Sequence, residues 1–290
     1  MLRKTVEDFI KRAANLKVAV IGETIIDEFV EVSYEGHSMK SSCPVYRLQN
    51  DKRTIQQGGT AAIAGHLKNF VKKVDLFTNE NNEIVKTRYI DPFDKKKYVE
   101  INKFESHKFK PVKTDPSKYD VVIVADFGHG FCDKLNIGNG FHLMCQTNSN
   151  NFGFNRLSKW KKFRKKSVCL DLREASLQMN KMISNSDTDI LELYNYEVNS
   201  EDLFVTTGAK GSVYTNGKKI VKQAAYPSKI VDTIGAGDTY YSFVCLLSAI
   251  EKNITSLAVP SLAASLSTTW LCNERSVTKD ALLKFAKEKE

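Results

Sequence analysis

The residues best suited to chemistry in this chain form a glycine loop followed by an aspartate. Residues 231–238, Val-Asp-Thr-Ile-Gly-Ala-Gly-Asp, run directly into 239–250, where apolar residues recur at helical spacing. A helix that begins at a glycine turn directs unpaired N–H groups, and the positive end of its dipole, at one point in space. This arrangement predicts an anion site suited to phosphate. Asp238, in the first helical turn, would either cap the helix or accept a proton from a hydroxyl group beside the phosphate.

Two other glycine stretches have the features of ligand-binding turns. Gly58 and Gly59 begin a run of small residues, Thr-Ala-Ala-Ile-Ala, which is typical of a helix that packs closely and approaches a ligand with its first turn. Residues 202–214 predict a strand, a turn containing Gly208 and Gly211, and a returning strand. The first pattern is weak by itself, because many tight turns resemble it.

Acidic residues near predicted strands and helix starts provide further candidates. Asp126 and His129 follow an apolar strand at 119–125, at the edge where α/β sheets bind ligands. Asp171 and Glu174 follow the strand that begins at residue 167, and they fit either a divalent cation held through water or the dipole of a helix N-terminus. A loop at 146–155 is rich in amide side chains, which suit hydroxyl or phosphate groups.

The composition excludes several classes of protein. The 290 residues, 42% hydrophobic and 27% charged, suffice for one large α/β domain or two small ones, and no apolar run approaches a membrane span. The net charge of +9 includes a dense basic cluster at 159–166, which we interpret as a solvated surface, because no nucleic-acid-binding motif accompanies it. The six cysteines form no Cys-x-x-Cys pair, so we expect free thiols in a reducing cytoplasm. A Walker A loop, a Gly-x-Gly-x-x-Gly fingerprint and a His-Glu-x-x-His motif are all missing from the sequence.

The pattern Asp-Thr-x-Gly-Ala-Gly-Asp at 232–238 resembles the signature of the ribokinase (PfkB-type) family of sugar kinases. The resemblance continues through Gly22-x4-Asp27, the glycine pair at 58–59 and the Thr-x-Gly-x-x-Gly element at 206–211, and it covers nearly the whole chain. It implies a three-layer α/β/α sandwich with a mostly parallel central sheet and a small β-sheet lid. It also implies one kinase domain over residues 1–290, with the lid formed by about 27–57 and 84–108.

The resemblance further implies a role for each motif. Asp238 becomes the catalytic base, and the backbone of Gly235, Ala236 and Gly237 forms the anion hole. The acceptor is expected to contact Asp27, Gly58, Gly59 and Arg88, with Asp126 added from its position at the sheet edge; Lys86 is a further cation for a sugar phosphate, unless both cations are simply exposed. The nucleotide is expected to contact Thr206, Gly208, Gly211 and Thr233, with Asn273 as part of a wall for the adenine. Glu174 and Asp171 would act on magnesium through water.

The implied activity is ATP-dependent transfer of a phosphoryl group to a hydroxyl of a sugar or sugar phosphate, without a nucleic-acid or membrane partner. The layout is most similar to that of heptose-phosphate kinases, although Ala62 and Asp171 stand where the family usually has asparagine. Two alternatives stay open: a nucleoside or vitamin-precursor kinase on the same fold, and a non-catalytic ligand-binding member. ATP and Mg2+ are the implied cofactors, a monovalent cation beside the anion hole is left open, and a homodimer through the lid is expected from the family.

Overall fold

The computed structural model describes residues 1–79, 83–105, 109, 114–147, 153–196 and 198–290. Its strands are, in chain order, β1 (Lys17–Gly22), β2 (Thr24–His37), β3 (Pro44–Gly59), β4 (Lys73–Phe77), β5 (Val85–Ile90), β6 (Lys97–Lys103), β7 (Val121–Asp126), β8 (His142–Cys145), β9 (Lys165–Asp171), β10 (Ser200–Thr206), β11 (Ser212–Thr215) and β12 (Ile220–Gln223). Its α-helices are α1 (Leu2–Ala13), α2 (Thr60–Lys68), α3 (Leu172–Met179), α4 (Asp187–Asn195), α5 (Ala236–Ile250), α6 (Ala258–Ser267) and α7 (Lys279–Glu288). The middle of the amide-rich loop, 148–152, and the end of the expected lid, 106–108, lie outside the described residues.

Eight strands form one sheet in the order β12-β11-β10-β9-β8-β7-β1-β4. The six strands from β10 to β4 pair in parallel, whereas β11 and β12 are antiparallel at one edge. After its first residue β1 is buried throughout, as expected for a parallel strand that is covered on both faces. The prediction of a mostly parallel central sheet is confirmed.

Each face of this sheet has its own hydrophobic core, because side chains alternate between the faces along a strand. Val18 and Val20 of β1 pack into a core that also contains residues of α1, α2, α5, α6 and α7. Ile21 points to the opposite face, where the core includes residues of α3 and α4. The result is the expected arrangement of three layers, with the sheet between two layers of helices.

The other four strands form a second sheet in the order β3-β2-β5-β6, which we call the small sheet. Strands β2 and β5 are parallel, and the two outer pairs are antiparallel. The face that carries Asp27, Lys86 and Arg88 is called the inner face, and the face that carries Val30 and Tyr89 is called the outer face. The hairpin expected at 84–90 and 97–104 is confirmed by β5 and β6.

One prediction about the small sheet is wrong. The sequence predicts a loop with two short strands at 44–48 and 53–57, but β3 runs without interruption from Pro44 to Gly59. It pairs with β2 along this length, with register shifts between Val30 and Val32 and between Tyr34 and Gly36. Such bulges let two long strands remain paired while they twist, so the polar residues between the two predicted strands do not end the strand.

Among the described residues, no helix combines the length and the apolar character needed to cross a membrane.

Candidate active site

Helix α5 begins at the glycine loop, and its first turn is open. Gly235 is the N-cap residue and has a φ of 83°, a left-handed conformation that glycine adopts without strain. The N–H group of Ala236 donates to the carbonyl oxygen of Thr233 at 3.3 Å. In the described part of the chain, the N–H groups of Gly235, Gly237 and Asp238 donate to no acceptor. Three free donors and the helix dipole therefore converge on one point, which is the geometry of an anion site. We call residues 232–238 the anion loop.

Asp238 lies in this first turn without capping it. No side chain caps α5, and the Asp238 carboxylate accepts no hydrogen bond from the described residues. The capping alternative is therefore wrong. The pKa of Asp238 is raised to about 7, first by burial and then by the negative charge of Asp27, against the opposing effect of Lys86. A carboxyl group with a pKa close to neutral is well matched to proton transfer near pH 7.

Asp27 lies on the inner face of the small sheet and is buried. Its Oδ1 forms an ion pair with Arg88, and its Oδ2 accepts a hydrogen bond from Nδ2 of Asn273 at 3.2 Å. Gly58 lies directly beside it, because an ideal Cβ at this position would be 2.3 Å from Oδ2 of Asp27. Only glycine leaves room for the carboxylate here. The structure thus brings together Asp27, Gly58 and Arg88, which the sequence assigned to the acceptor, and we call the residues around Asp27 the acceptor cluster. Gly59 follows as the N-cap of α2.

Two buried cations lie among these carboxylates. Nε of Arg88 also donates to Oε2 of Glu100 at 2.8 Å. Burial opposes the charged form of Arg88, but the ion pair with Asp27 more than offsets it, so its pKa is raised. Burial lowers the pKa of Lys86, while the charges of Glu100, Asp27 and Asp238 favour its protonated form. Because the charge of Lys86 acts on both Asp27 and Asp238, it links the acceptor cluster and the anion loop in one site.

The second glycine turn follows the carboxyl end of β10. The N–H group of Thr207 donates to the carbonyl oxygen of Gly211 at 2.8 Å, and the N–H group of Gly211 donates to that of Gly208 at 2.9 Å. The space around Gly208 is open, since no heavy atom lies within 4 Å of an ideal Cβ. Thr206 is the register partner of Asp171 on β9, so this turn lies next to the candidate metal residues.

Asp171 and Glu174 form a capping box at the start of α3. Oδ1 of Asp171 accepts a hydrogen bond from the Glu174 N–H group at 2.6 Å, and Oε2 of Glu174 accepts one from the Asp171 N–H group at 2.8 Å. The pKa of Glu174 is raised to about 8, first by burial and then by the charge of Asp171. The helix-terminus alternative is therefore what the structure shows. A role with magnesium stays a prediction, and the exposed Asp171 fits contact through water, because Mg2+ usually keeps several of its water ligands.

Three predicted residues lie apart from their expected surroundings. Asp126 is fully buried, and its Oδ2 accepts a hydrogen bond from Nε1 of Trp160 at 2.8 Å and lies 2.7 Å from Nζ of Lys159. The structure does not bring it to the acceptor cluster. Asn273, expected at the adenine, contacts Asp27 instead, and Thr233 is exposed at the loop before Gly235. Their roles toward ligands remain predictions.

Gln56 completes the acceptor cluster, and no sequence motif pointed to it. Gln56 is the register partner of Asp27, and its Oε1 accepts a hydrogen bond from the Asn273 N–H group at 2.8 Å. Its Nε2 is buried and has no hydrogen-bond partner among the described residues. A buried amide group without a partner is a candidate contact for an acceptor hydroxyl. Strand alternation could have indicated this residue, because it is two residues before Gly58.

His66 supports the anion loop from helix α2. Its Nδ1 accepts a hydrogen bond from the Val277 N–H group at 3.0 Å, so Nε2 carries the proton and donates to Oγ1 of Thr239 at 3.0 Å. Oγ1 of Thr239 in turn donates to the carbonyl oxygen of Gly235 at 3.0 Å. Burial lowers the pKa of His66 to about 4, so the ring is neutral at physiological pH. A single histidine in a small-residue helix gave no signal of this contact.

Comparison with known proteins agrees with the architecture and the motifs. Residues 145–269 match the family described as pfkB family carbohydrate kinase. This segment contains the glycine loop, the 206–211 turn and the Asp171–Glu174 pair, whereas the acceptor cluster around Asp27 lies outside it. No curated protein matches the sequence.

Several solved structures of the ribokinase family have a similar fold. The nucleoside kinase of Methanocaldococcus jannaschii, an archaeal member of that family, superposes with a TM-score of 0.67 at 15% identity, over 95% of this chain and 99% of that chain. The ribokinase of Arabidopsis thaliana, complexed with ribose and ATP, has a TM-score of 0.63 at 12% identity, over 94% and 99%. Phosphofructokinase-2 of Escherichia coli, in complex with potassium, has a TM-score of 0.64 at 10% identity, over 94% and 99%.

The resemblance stated from the motifs is thereby confirmed. This chain has a ribokinase-like fold, and its residues 145–269 match the pfkB family of carbohydrate kinases. Members of this family are carbohydrate kinases, which are phosphotransferases, so the predicted class of enzyme is confirmed at the level of the family.

Proposed function

We propose that this protein is an ATP-dependent kinase that phosphorylates a hydroxyl group of a sugar or sugar phosphate. Asp238 is the observation that carries the proposal. Its carboxylate has a raised pKa and no hydrogen-bond donor among the described residues, and it stands beside free backbone N–H groups. Phosphoryl transfer requires alignment, positive countercharge and a base rather than covalent chemistry from the protein, and these groups meet that requirement.

In the proposed reaction, Asp238 accepts the proton of the acceptor hydroxyl while the hydroxyl oxygen attacks the terminal phosphorus of ATP, and the bond from that phosphorus to the bridging oxygen breaks to release ADP. The N–H groups of Gly235 and Gly237 stabilise the negative charge on the transferred phosphoryl group. Asp27 accepts hydrogen bonds from other hydroxyls of the acceptor, and the Nε2 group of Gln56 donates one. Because these groups are held by two strands of the small sheet and by helix α5, the acceptor binds in the orientation that the reaction needs.

The nucleotide side of the site is formed by the second glycine turn. Thr206, Thr233 and the backbone from Gly208 to Gly211 are proposed to bind the phosphates of ATP. Glu174 and Asp171 are proposed to hold magnesium through water, and the ion would neutralise charge on the nucleotide phosphates. The open space around Gly208 supports this assignment, because a phosphate group can approach the backbone there.

The two cations of the acceptor cluster bear on whether the acceptor is itself phosphorylated. Arg88 is already shared between Asp27 and Glu100, but Lys86 forms no ion pair with a described residue. An ammonium group without a fixed partner can bind a phosphate. We therefore keep a sugar phosphate, including a heptose phosphate, among the proposed acceptors, with Lys86 as its contact.

A nucleoside acceptor is the second candidate. The nucleoside kinase of Methanocaldococcus jannaschii shares the fold over nearly the whole chain. A protein that only binds ligands is the remaining alternative; the unpaired Asp238 argues against it, because a binding site does not require a carboxylate whose pKa is close to neutral.

We further propose that the small sheet acts as a lid within a single kinase domain, and that two copies of the chain pair through its outer face. This face exposes Leu48, Ile55, Val99 and Ile101, whose exposed fractions are 54%, 62%, 38% and 53%. Apolar side chains exposed on one face of a sheet favour association. Sedimentation of the wild type beside Leu48→Glu tests the pairing: a dimer that the variant weakens supports it, and a monomeric wild type contradicts it.

All six cysteines are free, and five of them are buried. Buried thiols persist in a reducing compartment, so this arrangement supports the cytoplasm as the proposed location.

The proposed function is tested by ADP release from Mg-ATP over a panel of hexoses, heptoses, their phosphates and nucleosides. The wild type is compared with Asp238→Asn, and Asp133→Asn serves as an exposed control outside the site. Turnover of one acceptor class that only Asp238→Asn loses supports the kinase and names the acceptor. Equal rates in the wild type and Asp238→Asn contradict the role of Asp238. Ligand binding without turnover favours a protein that only binds ligands.

A further inference from the structure

Asp232, the first acidic residue of the glycine-loop motif, is held in a fixed position by the backbone. Its side chain is only 4% exposed. Its Oδ1 accepts a hydrogen bond from the Ile234 N–H group at 3.2 Å, and its Oδ2 accepts one from the Cys272 N–H group at 3.2 Å. These bonds place the carboxylate between the loop that leads to Gly235 and the turn that contains Asn273. Neither donor carries a charge, so neither neutralises Asp232.

The positive charge comes from Lys97, the first residue of β6 in the small sheet. Its Nζ lies 2.7 Å from Oδ1 of Asp232. Among the described residues, Lys97 is the only basic residue in an ion pair with Asp232. The Lys97 side chain is 31% exposed, and its partner is buried, so salt screens this pair less than it screens a pair on the surface. The anion loop is therefore bonded directly to the small sheet.

The residues at Asp232 do not fit a monovalent cation. The family resemblance left such an ion open beside the anion hole, and the similar phosphofructokinase-2 of Escherichia coli was solved in complex with potassium. In this chain both oxygens of Asp232 already accept hydrogen bonds, and the Lys97 ammonium group already supplies one positive charge. A second cation at the same carboxylate would be repelled by Lys97.

We propose that Lys97 is a positioning residue that takes the place of a monovalent cation at Asp232, so that catalysis does not depend on such an ion. This inference rests on the proposed kinase function. If nothing neutralised it, the negative charge of Asp232 would repel the phosphate that the free N–H groups of Gly235 and Gly237 stabilise. Lys97 neutralises this charge. Because Lys97 belongs to the small sheet, the neutralisation depends on the same sheet that carries Asp27 and Arg88 of the acceptor cluster.

The test compares potassium with tetramethylammonium, an ion too large for such a site, at equal ionic strength. Lys97→Met is measured beside Lys96→Met, a matched control whose exposed ammonium group lies over the ring of Tyr98, 6.0 Å from its centroid, and forms no ion pair with a described residue. The wild type and Lys96→Met are expected to have the same rate in both salts, within about twofold. Lys97→Met is expected to lose about tenfold or more of kcat in tetramethylammonium and to recover part of it in potassium.

Thermal unfolding in the same two salts gives a readout that does not need turnover. The wild-type Tm is expected to be equal in both salts, whereas that of Lys97→Met is expected to be lower and to rise in potassium. An increase of about tenfold in the wild-type rate when potassium replaces tetramethylammonium would overturn the inference. Full activity of Lys97→Met in tetramethylammonium would also overturn it. If the wild type phosphorylates no acceptor, the proposed function fails, and a potassium-dependent wild-type Tm would still overturn the inference about Lys97.

Discussion

Two pairs of acidic residues in this protein differ in how their oxygens are used. Glu23 and Asp126 lie at the carboxyl ends of β1 and β7, and we call them the closed pair. Asp27 and Asp238 lie on the small sheet and at the start of α5, and we call them the open pair. Both pairs look alike in the sequence, as acidic residues beside strands or glycine turns, so the difference between them shows what makes a carboxylate available for chemistry.

The closed pair has all of its oxygens engaged. Glu23 is fully buried and accepts hydrogen bonds from three backbone N–H groups of the loop that follows β7, at 2.7, 3.0 and 3.1 Å. Asp126 is also fully buried and is bonded to Trp160 and Lys159. Carboxylates with this many donors stabilise the loop that they bond.

The closed pair also resembles a metal site without fitting one. Together with Cys132, the two carboxylates form a possible set of metal ligands. Among the described residues it is the only group of three or more His, Cys, Asp or Glu side chains whose potential ligand atoms all lie within 4.8 Å of one another. The donors that already bond Glu23 and Asp126 occupy the positions a metal would need. Burial raises the pKa of Cys132 well above its ordinary value, so a metal would have to displace the thiol proton before it could bind there.

In the open pair, Asp238 lacks such donors. Asp27 is paired with Arg88, but Asp238 accepts no hydrogen bond from the described residues and keeps a pKa of about 7. Burial is therefore not what distinguishes a functional carboxylate in this fold. Asp238 is distinguished by a raised pKa together with the lack of any hydrogen-bond donor among the described residues.

The largest expected effect separates the two pairs by activity. Asp238→Asn removes the base, so kcat is expected to fall by about 10²- to 10⁴-fold. The variant should melt at the wild-type temperature or above it, because an unpaired carboxylate is replaced by a neutral amide. Steady-state kinetics and thermal unfolding on the same preparation measure both quantities, and a destabilised variant would contradict the description of Asp238 as unpaired.

The corresponding change in the closed pair should affect stability. Asp126→Ala leaves the buried Trp160 N–H group without its partner and leaves Lys159 with only the exposed Asp133, and the expected loss is about 3 kcal/mol in the free energy of unfolding. Asp133→Ala, which removes the exposed second partner of Lys159, is the control and should cost less than about 1 kcal/mol. Urea unfolding measures both; similar losses would show that Asp126 is no more important than a surface acid.

The pH dependence of catalysis tests the coupling within the open pair. Asp238 must be deprotonated to act as a base, so kcat/KM is expected to rise with pH through about 7. Asp27→Asn removes the charge that raises the pKa of Asp238 and should move the midpoint to lower pH. Lys86→Met removes the charge that lowers it and should move the midpoint to higher pH, with each pH unit changing the rate at low pH about tenfold. Shifts in the same direction for both variants would contradict the assignment.

The smallest expected effect concerns Asp171, whose role in capping can be separated from a role with magnesium. Asparagine is as good an N-cap as aspartate, so Asp171→Asn should change the free energy of unfolding by less than about 0.5 kcal/mol, whereas Asp171→Ala should lose about 1 kcal/mol. If Asp171 also holds magnesium through water, Asp171→Asn should need more Mg2+ for half-maximal rate. An unchanged Mg2+ requirement would leave Asp171 with the cap alone.

Much of the fold was predictable because it depends on local patterns. The apolar run at 119–125 predicted strand β7, and the Gly235–Asp238 spacing predicted an open helix start. Helix α4 and strand β12 were not predicted, because the hydrophobic periodicity of these short elements is weak. The continuous strand β3 was missed because its pairing with β2, rather than its own composition, keeps it extended.

The sequence by itself indicated the resemblance to a kinase family, the central sheet and Asp238 as the residue to test. Backbone conformation and helix polarity follow from nearby residues, and a glycine loop before an apolar helix specifies both. Only the tertiary structure decided that Asp126 is bonded and closed, that Asn273 lies at Asp27, and that Lys97 reaches Asp232. These contacts join residues far apart in the chain, and the donors that fix a carboxylate's pKa come from segments that no local spacing relates to it.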